Sequence, residues 1–127
     1  MRRRSAVLTA QELEIMKLVW ELGRPRVRDV YEALRASRPV AYTTVMTMLN
    51  VLVDKGRLRK RREDRSYVYE PTQARGDVIR SMVREFVERV FDGSAKPLVA
   101  QLAEDKKLSP RDLDEIRDLL KRAEEEE

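Results

Sequence analysis

The chain has 127 residues, enough for one ordinary domain or two small pieces, and its 42% hydrophobic content allows a buried core. It contains no cysteine and no histidine, which excludes disulfides, thiolate metal sites and Cys nucleophiles and removes the usual general base. Residues 1–75 carry 17 Lys and Arg against 9 Asp and Glu, a net charge of +8, whereas residues 76–127 carry 10 against 14, a net charge of −4. A basic first part indicates contact with a polyanion. The alternative is that its arginines are merely solvated.

Three helices are predicted in the basic part of the chain. Thr9 and Glu12 have the spacing of a capping box, which opens the first helix, and Gly23 ends it. A second, shorter helix covers roughly residues 27–36, and a third runs from about 42 to 55, where another glycine stops it.

Two short extended runs follow the third helix and flank a polar turn at residues 63–65, which predicts a β-hairpin. Tyr67 and Tyr69 give the second run its strand propensity; they fall on one strand face, where we expect them to pack in the core. The order helix, short helix, helix, hairpin is that of a winged helix-turn-helix. The alternative is an unrelated α+β domain with a surface hairpin.

The chain beyond Thr72 is predicted to be helical, with a break at 92–94 after which Ser94 caps the next helix. Apolar pairs repeat every four residues over 78–91, so the apolar surface rotates by about 40° per step and wraps around the helix. One small domain would struggle to cover that surface, whereas a partner chain could. The predicted dimerisation residues are Val78, Ile79, Met82, Val83, Phe86, Val87, Val90, Phe91, Leu98, Leu102, Leu113, Ile116 and Leu120.

The predicted fold is therefore mainly α with a small β-hairpin. A winged helix-turn-helix domain occupies residues 1–73, and a helical dimerisation region occupies residues 74–127. The two regions have opposite charge balances, which favours different roles for them.

The third helix is predicted to have two different faces. The residues that must face the core are Val45, Met48, Leu49, Leu52 and Val53. The opposite side of the helix carries small hydrogen-bonding groups. Asparagine can pair with an adenine edge, and threonine offers a hydroxyl and a methyl that packs on a thymine methyl. We therefore predict that this helix contacts bases in the major groove, the alternative being an ordinary solvated face. The predicted base-contact residues are Thr43, Thr44, Met46, Thr47 and Asn50.

The hairpin is unusually basic, with six Lys and Arg in the nine residues 57–65. Arg2–Arg4, Arg24 and Arg26 could flank the same duplex. Phosphate contacts position a protein and give salt-dependent affinity, but they carry little sequence information. The alternative for any one of these arginines is plain solvent exposure. The predicted phosphate contacts are Arg28, Arg59, Lys60, Arg61, Arg62 and Arg65.

Catalysis has little support in the sequence. No histidine can activate a hydroxyl, no glycine-rich phosphate loop is present, and carboxylate pairs such as Glu104 and Asp105 are typical of a helix surface. We predict no catalytic residue, no metal site and no cofactor, and therefore not an enzyme. The alternative to a non-enzyme is a nuclease that binds Mg²⁺ through oxygen ligands. DNA degradation on adding Mg²⁺ would reveal it.

The sequence also predicts where the protein acts. The longest apolar run is three residues, too short to span a membrane. The first twelve residues have a basic start but no apolar stretch of signal-peptide length. We expect a cytoplasmic protein with no membrane insertion.

The sequence resembles the BlaI/MecI/CopY family of bacterial repressors over about residues 7–122. The opening helix matches at Leu8-Thr9, Glu12, Glu14-Ile15-Met16 and Trp20, and the third helix matches over 40–49 with Leu52 and Lys55-Gly56. The hairpin end Tyr67-Val68-Tyr69-Glu70-Pro71 and the break Asp92-Gly93-Ser94 with Leu98-Val99 complete the match.

This resemblance implies a homodimeric winged-helix repressor of a palindromic operator, with the third helix in the major groove and intertwined C-terminal helices. Known relatives repress β-lactamase or penicillin-binding-protein genes, and a membrane sensor-protease pathway inactivates them by cutting an Asn–Phe bond. The chain is thus expected to control β-lactamase or other stress-response genes. The alternative is a winged-helix module that binds a protein, without specific DNA readout.

The chain also departs from the family pattern. The bond that matches the cleavage position is Gln101–Leu102, and the cysteines of the copper-responsive branch are absent. Ala41 stands where a capping serine is common. Relatives often carry Lys and Arg on the third helix at positions occupied here by Thr43, Met46 and Val51. We therefore expect an operator that differs from theirs.

Overall fold

The computed structural model describes residues 8–126, so Arg2–Arg4 lie outside the described residues. The helices are α1 (Ala10–Leu22), α2 (Val27–Arg35), α3 (Tyr42–Asp54), α4 (Arg75–Phe91), α5 (Lys96–Glu104) and α6 (Pro110–Glu125), and the strands are β1 (Leu58–Glu63) and β2 (Ser66–Pro71). This order confirms the predicted mainly helical fold with one hairpin.

The chain divides into two compact units, the first ending at Val83 and the second beginning at Arg84. The boundary therefore falls inside α4. The predicted division at residues 73 and 74 lies just before that helix, and the separate roles assigned to the two regions stay a prediction.

Helix α1 begins and ends as its sequence predicts. The Thr9 hydroxyl accepts from the Glu12 N–H at 3.1 Å, and the Glu12 carboxylate accepts from the Thr9 N–H at 2.9 Å. Burial raises the pKa of Glu12, but hydrogen bonds from Lys55 and Thr9 outweigh burial and hold this pKa below its ordinary value. Gly23 follows the helix with φ +89°, a conformation that favours glycine.

Helix α3 ends in a Schellman motif. The Arg57 N–H donates to the Leu52 carbonyl at 2.8 Å, and the Gly56 N–H donates to the Val53 carbonyl at 2.9 Å. The φ of Gly56 is +77°, which explains why the helix stops at a glycine. At its other end, Ala41 is the N-cap and makes no side-chain hydrogen bond to the helix.

The hairpin is antiparallel, with Glu63 opposite Ser66 and Leu58 opposite Pro71. Its turn has two residues rather than the three predicted, because Asp64 takes the left-handed φ of +57° that a tight hairpin turn requires. The free edge of β2 is also held: the Tyr69 N–H donates to the Pro25 carbonyl at 2.9 Å. We call β1, its turn and β2 the wing.

A single core holds the first unit together. Each of the three N-terminal helices buries one face, and the base of the wing and the start of α4 close the cluster. The indole N–H of Trp20 donates to the Gln73 carbonyl at 3.1 Å and fixes the loop before α4. The core residues are Leu8, Ile15, Met16, Val19, Val30, Leu34, Val45, Leu49, Leu52, Leu58, Tyr69 and Val78.

The second unit contains the end of α4, α5 and α6. Ser109 caps α6 in a capping box with Asp112, at 3.0 and 2.9 Å. The prediction that Ser94 caps α5 is wrong: Ala95 is the N-cap, since its carbonyl accepts the first helical hydrogen bond, from the Val99 N–H at 3.1 Å, and this position has no side-chain cap. Neither α5 nor α6 contains a buried residue. Within residues 8–126, no helix is long and apolar enough to cross a membrane.

Candidate nucleic-acid interface

The outer side of α3 presents an exposed polar surface, which we call the threonine face: Thr43, Thr44, Met46 and Thr47. All four side chains are exposed, and Met46 is 40% exposed. The Thr47 hydroxyl donates to the Thr43 carbonyl one turn earlier, at 2.9 Å. Its hydrogen is therefore in use, and what the side chain offers outward is its oxygen lone pairs and its methyl group.

Asn50, the remaining predicted base-contact residue, is half-buried between α3 and the wing. Its Oδ1 atom accepts from the Lys60 ammonium and from the Tyr69 hydroxyl, each at 3.2 Å. Burial, and after it the neighbouring Tyr42 and Tyr67, raises the pKa of Tyr69, so this hydroxyl keeps its proton and remains a donor at neutral pH. The structure thus ties Asn50 to the wing, a contact that the sequence analysis did not foresee.

One face of the wing carries Lys60 and Arg62 beside two tyrosines. The register sets Lys60 opposite Tyr69 and Arg62 opposite Tyr67, so these four side chains share a strand face. The Lys60 ammonium lies 4.3 Å from the centre of the Tyr67 ring, and the Arg62 guanidinium lies 5.9 Å from it. The core prediction is confirmed for Tyr69, which is 1% exposed, and is wrong for Tyr67, which is 42% exposed because it lies beyond the core edge.

The opposite face of the wing carries Arg59 and Arg61 around a carboxylate. Glu70 lies 3.9 Å from the Arg59 guanidinium and 3.7 Å from that of Arg61, and it accepts from Arg24 at 2.9 Å. Arg24 also pairs with Glu63. Because strand residues alternate between faces, the six basic residues of the hairpin do not form one surface. Lys60 and Arg62 lie on the wing face that also carries Tyr69, which hydrogen-bonds Asn50 of α3. Arg59 and Arg61 lie on the other face.

Three other predicted phosphate-binding arginines are distributed around the wing. Arg26 hydrogen-bonds Ser66 and lies 3.9 Å from the Asp64 carboxylate, so it fastens the turn of the wing. Arg28 on α2 and Arg65 in the turn are exposed and form no ion pair within the described part of the chain. Their charges are therefore the least compensated of the three.

The predicted dimerisation residues differ in exposure. Val78 is 3% exposed in the core of the first unit, and Met82 packs against that core, so Val78 has no surface left for a partner and its assignment is corrected. Val83, Phe86 and Val90 are 51%, 39% and 49% exposed. Of the others, Leu113 and Leu120 are exposed, and the half-buried ones are Ile79, Val87, Phe91, Leu98, Leu102 and Ile116.

The bond that matches the family's cleavage position, Gln101–Leu102, lies inside α5. The Gln101 side chain is exposed, and its carbonyl accepts from the Asp105 N–H at 3.0 Å. The backbone at this bond is therefore helical and hydrogen-bonded. Among the residues that the structure describes, no group of three or more acidic side chains could hold a metal ion.

The family model described as penicillinase repressor matches residues 8–122 of this chain. The chain belongs to the penicillinase repressor family. The match includes the whole first unit from Leu8 onward, all of α5 and most of α6. The family is one of repressors and not of enzymes.

Two curated relatives are a penicillinase repressor and a transcriptional regulator. The chain is 29% identical to the penicillinase repressor of Bacillus licheniformis over 109 residues, which cover 86% of this chain and 85% of that protein. It is 34% identical to the transcriptional regulator BlaI of Mycobacterium tuberculosis over 86 residues, or 67% of this chain and 62% of that protein.

Two solved structures resemble the first part of the fold. The solution structure of the DNA-binding domain of the repressor BlaI aligns with a TM-score of 0.52 and 30% identity, covering 61% of this chain and 93% of that one. The monomeric form of Bacillus licheniformis BlaI in complex with the blaP half-operator aligns with a TM-score of 0.51 at the same identity and coverage. These alignments confirm the predicted winged helix-turn-helix fold.

Proposed function

We propose that this repressor-family protein is a cytoplasmic DNA-binding transcriptional repressor that acts as a homodimer on a palindromic operator. The observation that carries the proposal is the exposed threonine face of α3 beside the wing face that carries Lys60 and Arg62. A similar domain, 30% identical, has been solved in complex with its half-operator, which supports DNA as the partner here. β-lactamase or other stress-response genes are the proposed targets.

The threonine face supplies the proposed base contacts. Thr43 and Thr44 offer hydroxyls that can donate or accept, whereas Thr47 offers an acceptor and a methyl because its proton is bound within the helix. Met46 and the threonine methyls can pack on thymine methyl groups. Asn50 adds the amide N–H groups that its tie to the wing leaves unused. A face with no charged side chain reads hydrogen-bonding and methyl patterns rather than phosphate charge.

The proposed phosphate contacts are unequal. Lys60 and Arg62 lie on the wing face that is tied to α3, and Arg65 and Arg28 are exposed without ion pairs in the described residues. Arg59 and Arg61 lie on the other face beside Glu70, whose charge partly neutralises theirs. We therefore rank the first group above the second as sources of salt-dependent affinity.

Exposed apolar side chains of the C-terminal helices are the proposed dimer contacts. Phe86, Val90 and Leu120 expose 39%, 49% and 60% of their surface, and α5 and α6 bury no residue of their own. A two-fold dimer would place two winged helices on half-sites about one helical turn apart, or a multiple of that.

We propose release by a membrane sensor-protease pathway that cuts Gln101–Leu102. The Gln101 side chain is exposed, which suits recognition, but the bond lies within α5. Cleavage there requires local unwinding of the helix, an opening that costs least in segments with few buried contacts.

The protein is expected to prefer its operator to scrambled DNA by about 10³-fold or more, with a steep negative salt slope on both duplexes. Fluorescence anisotropy on DNA from upstream of its own gene, beside a scrambled duplex and across a salt series, measures both quantities. Equal weak binding to these duplexes and to duplexes selected from a random pool would contradict the proposal and favour a protein-docking module.

The two faces of the wing are expected to respond differently to loss of charge. Lys60→Ala and Arg62→Ala should each reduce the magnitude of the negative slope of log K against log salt by about one, because each removes a phosphate contact. Arg61→Ala is the matched control, since it removes the same charge from the neighbouring residue on the face that Glu70 neutralises. Its slope should change by clearly less than the slopes of Lys60→Ala and Arg62→Ala; an equal reduction in all three variants would contradict the division.

A further inference from the structure

We propose that Asn50 is a positioning residue that sets the wing against α3, rather than a residue that reads a base with its whole amide group. The inference rests on the proposed function, since it concerns how the same surface meets DNA. It assigns a role to Tyr69 as well, a buried side chain that has no surface with which to touch DNA.

The contacts of the Asn50 amide carry this inference. Its Oδ1 atom has two lone pairs, and two donors approach it at 3.2 Å, the Tyr69 hydroxyl from the core and the Lys60 ammonium from the wing. A buried tyrosine hydroxyl needs an acceptor, and Asn50 supplies it. One side chain of α3 thus joins both strands of the wing, because Lys60 lies on β1 and Tyr69 on β2.

The same contacts limit what Asn50 can read. A bidentate contact with adenine needs the amide oxygen to accept and the amide nitrogen to donate. Because Oδ1 is already occupied by two protein donors, that contact would cost at least one of the existing hydrogen bonds. Only the Nδ2 donors are left for DNA, and a single donor discriminates among bases less well than a bidentate pair.

The hydrogen bond to Asn50 also fixes the position of the Lys60 charge. Lys60 is held between the Asn50 oxygen and the Tyr67 ring, 4.3 Å from the ring centre. An ammonium that is already placed at the border of α3 and the wing needs less ordering when DNA binds. Ion pairs from Arg24 to Glu63 and Glu70 fasten the opposite face of the wing. The wing is therefore held on both faces, and among residues 8–126 the hydrogen bonds between its side chains and those of α3 are the two to Asn50.

The test compares four single variants with the unmodified protein. Tyr69→Phe removes one of the two hydrogen bonds to Asn50 Oδ1, and Asn50→Ala removes both. Asn50→Asp keeps an acceptor of the same shape but loses the amide donors. Tyr67→Phe removes an exposed hydroxyl from the same strand face as a matched control. Binding is measured by anisotropy on a duplex selected from a random pool and on a scrambled duplex, at a temperature where circular dichroism shows every variant folded.

The readout is the ratio of specific to scrambled affinity, in which any effect of a new negative charge that is equal on both duplexes cancels. We expect Tyr69→Phe and Asn50→Ala each to lower this ratio by about three- to tenfold, the value of one or two hydrogen bonds. A fifth protein that combines Tyr69→Phe with Asn50→Ala should have a ratio little lower than Asn50→Ala alone, since both changes break the hydrogen bond between the two side chains. Asn50→Asp should lower the ratio less than Asn50→Ala does, because it keeps the acceptor for Tyr69 and Lys60. Tyr67→Phe should keep the ratio to within about twofold.

Two results would overturn the inference while leaving the proposed function in place: an unchanged ratio in Tyr69→Phe, or an Asn50→Asp ratio as low as that of Asn50→Ala. The second result would show that the amide donors read a base. If the unmodified protein selects no duplex from the pool, the proposed function fails first, and this inference fails with it.

Discussion

Val90→Asp is expected to lower affinity for a full palindromic operator by about 10²- to 10⁴-fold. Val90 is 49% exposed on the part of α4 that belongs to the second unit, so the substitution should not unfold the chain. A carboxylate in a proposed apolar dimer contact must lose water without gaining a partner, which disfavours association. The monomer that results can hold only one half-site at a time, and the gain from linked binding is lost.

Analytical ultracentrifugation and anisotropy together check this expectation. The variant should sediment as a monomer, and on a duplex with a single half-site it should bind as well as the unmodified protein. Ser94→Asp is the matched control, since it adds the same charge in the exposed loop between α4 and α5. A Val90→Asp protein that remains dimeric, or a monomer that keeps full operator affinity, would contradict the proposed interface.

Local signals explain why the sequence predicted most of the fold. The Thr9 and Ser109 capping boxes and the glycine after α3 act within a few residues of chain, so their spacing is visible in the sequence. The prediction that Ser94 caps α5 was wrong because its sequence pattern does not fix the first residue of the helix. A capping residue next to a turn is a common pattern, but the first helical hydrogen bond of α5 goes from the Val99 N–H to the Ala95 carbonyl, which makes Ala95 the N-cap.

The candidate site was harder to predict, because its decisive contacts join residues far apart in the chain. The Asn50 tie to Tyr69 spans 19 residues, and the Arg24 pair with Glu70 spans 46. Strand alternation alone separates Arg59 and Arg61 from Lys60 and Arg62, so that division was available in the sequence. Alternation does not show where the core ends along the strand, which is why Tyr67 was expected to be buried.

The two faces of α3 make opposite predictions for two neighbouring residues. Leu49 is completely buried, whereas Met46, three residues earlier, is 40% exposed on the threonine face. Leu49→Ala should lower the free energy of unfolding by about 2–5 kcal/mol, because it leaves a cavity in the core of the first unit. Met46→Ala should change that free energy by no more than about 0.5 kcal/mol, since this exposed side chain is not part of the core cluster.

Urea unfolding followed by circular dichroism measures these two changes, and anisotropy supplies the other half of the comparison. Both substitutions create alanine from a good helix former, so helix propensity is nearly constant and the difference reports the environment of each side chain. Met46→Ala should weaken operator binding while the protein stays folded, because the lost contact is with DNA. Leu49→Ala should bind the operator normally at temperatures where it remains folded. Equal losses of stability in the two variants would mean that α3 does not present Met46 outward. The proposed role of the threonine face in base recognition would then be wrong.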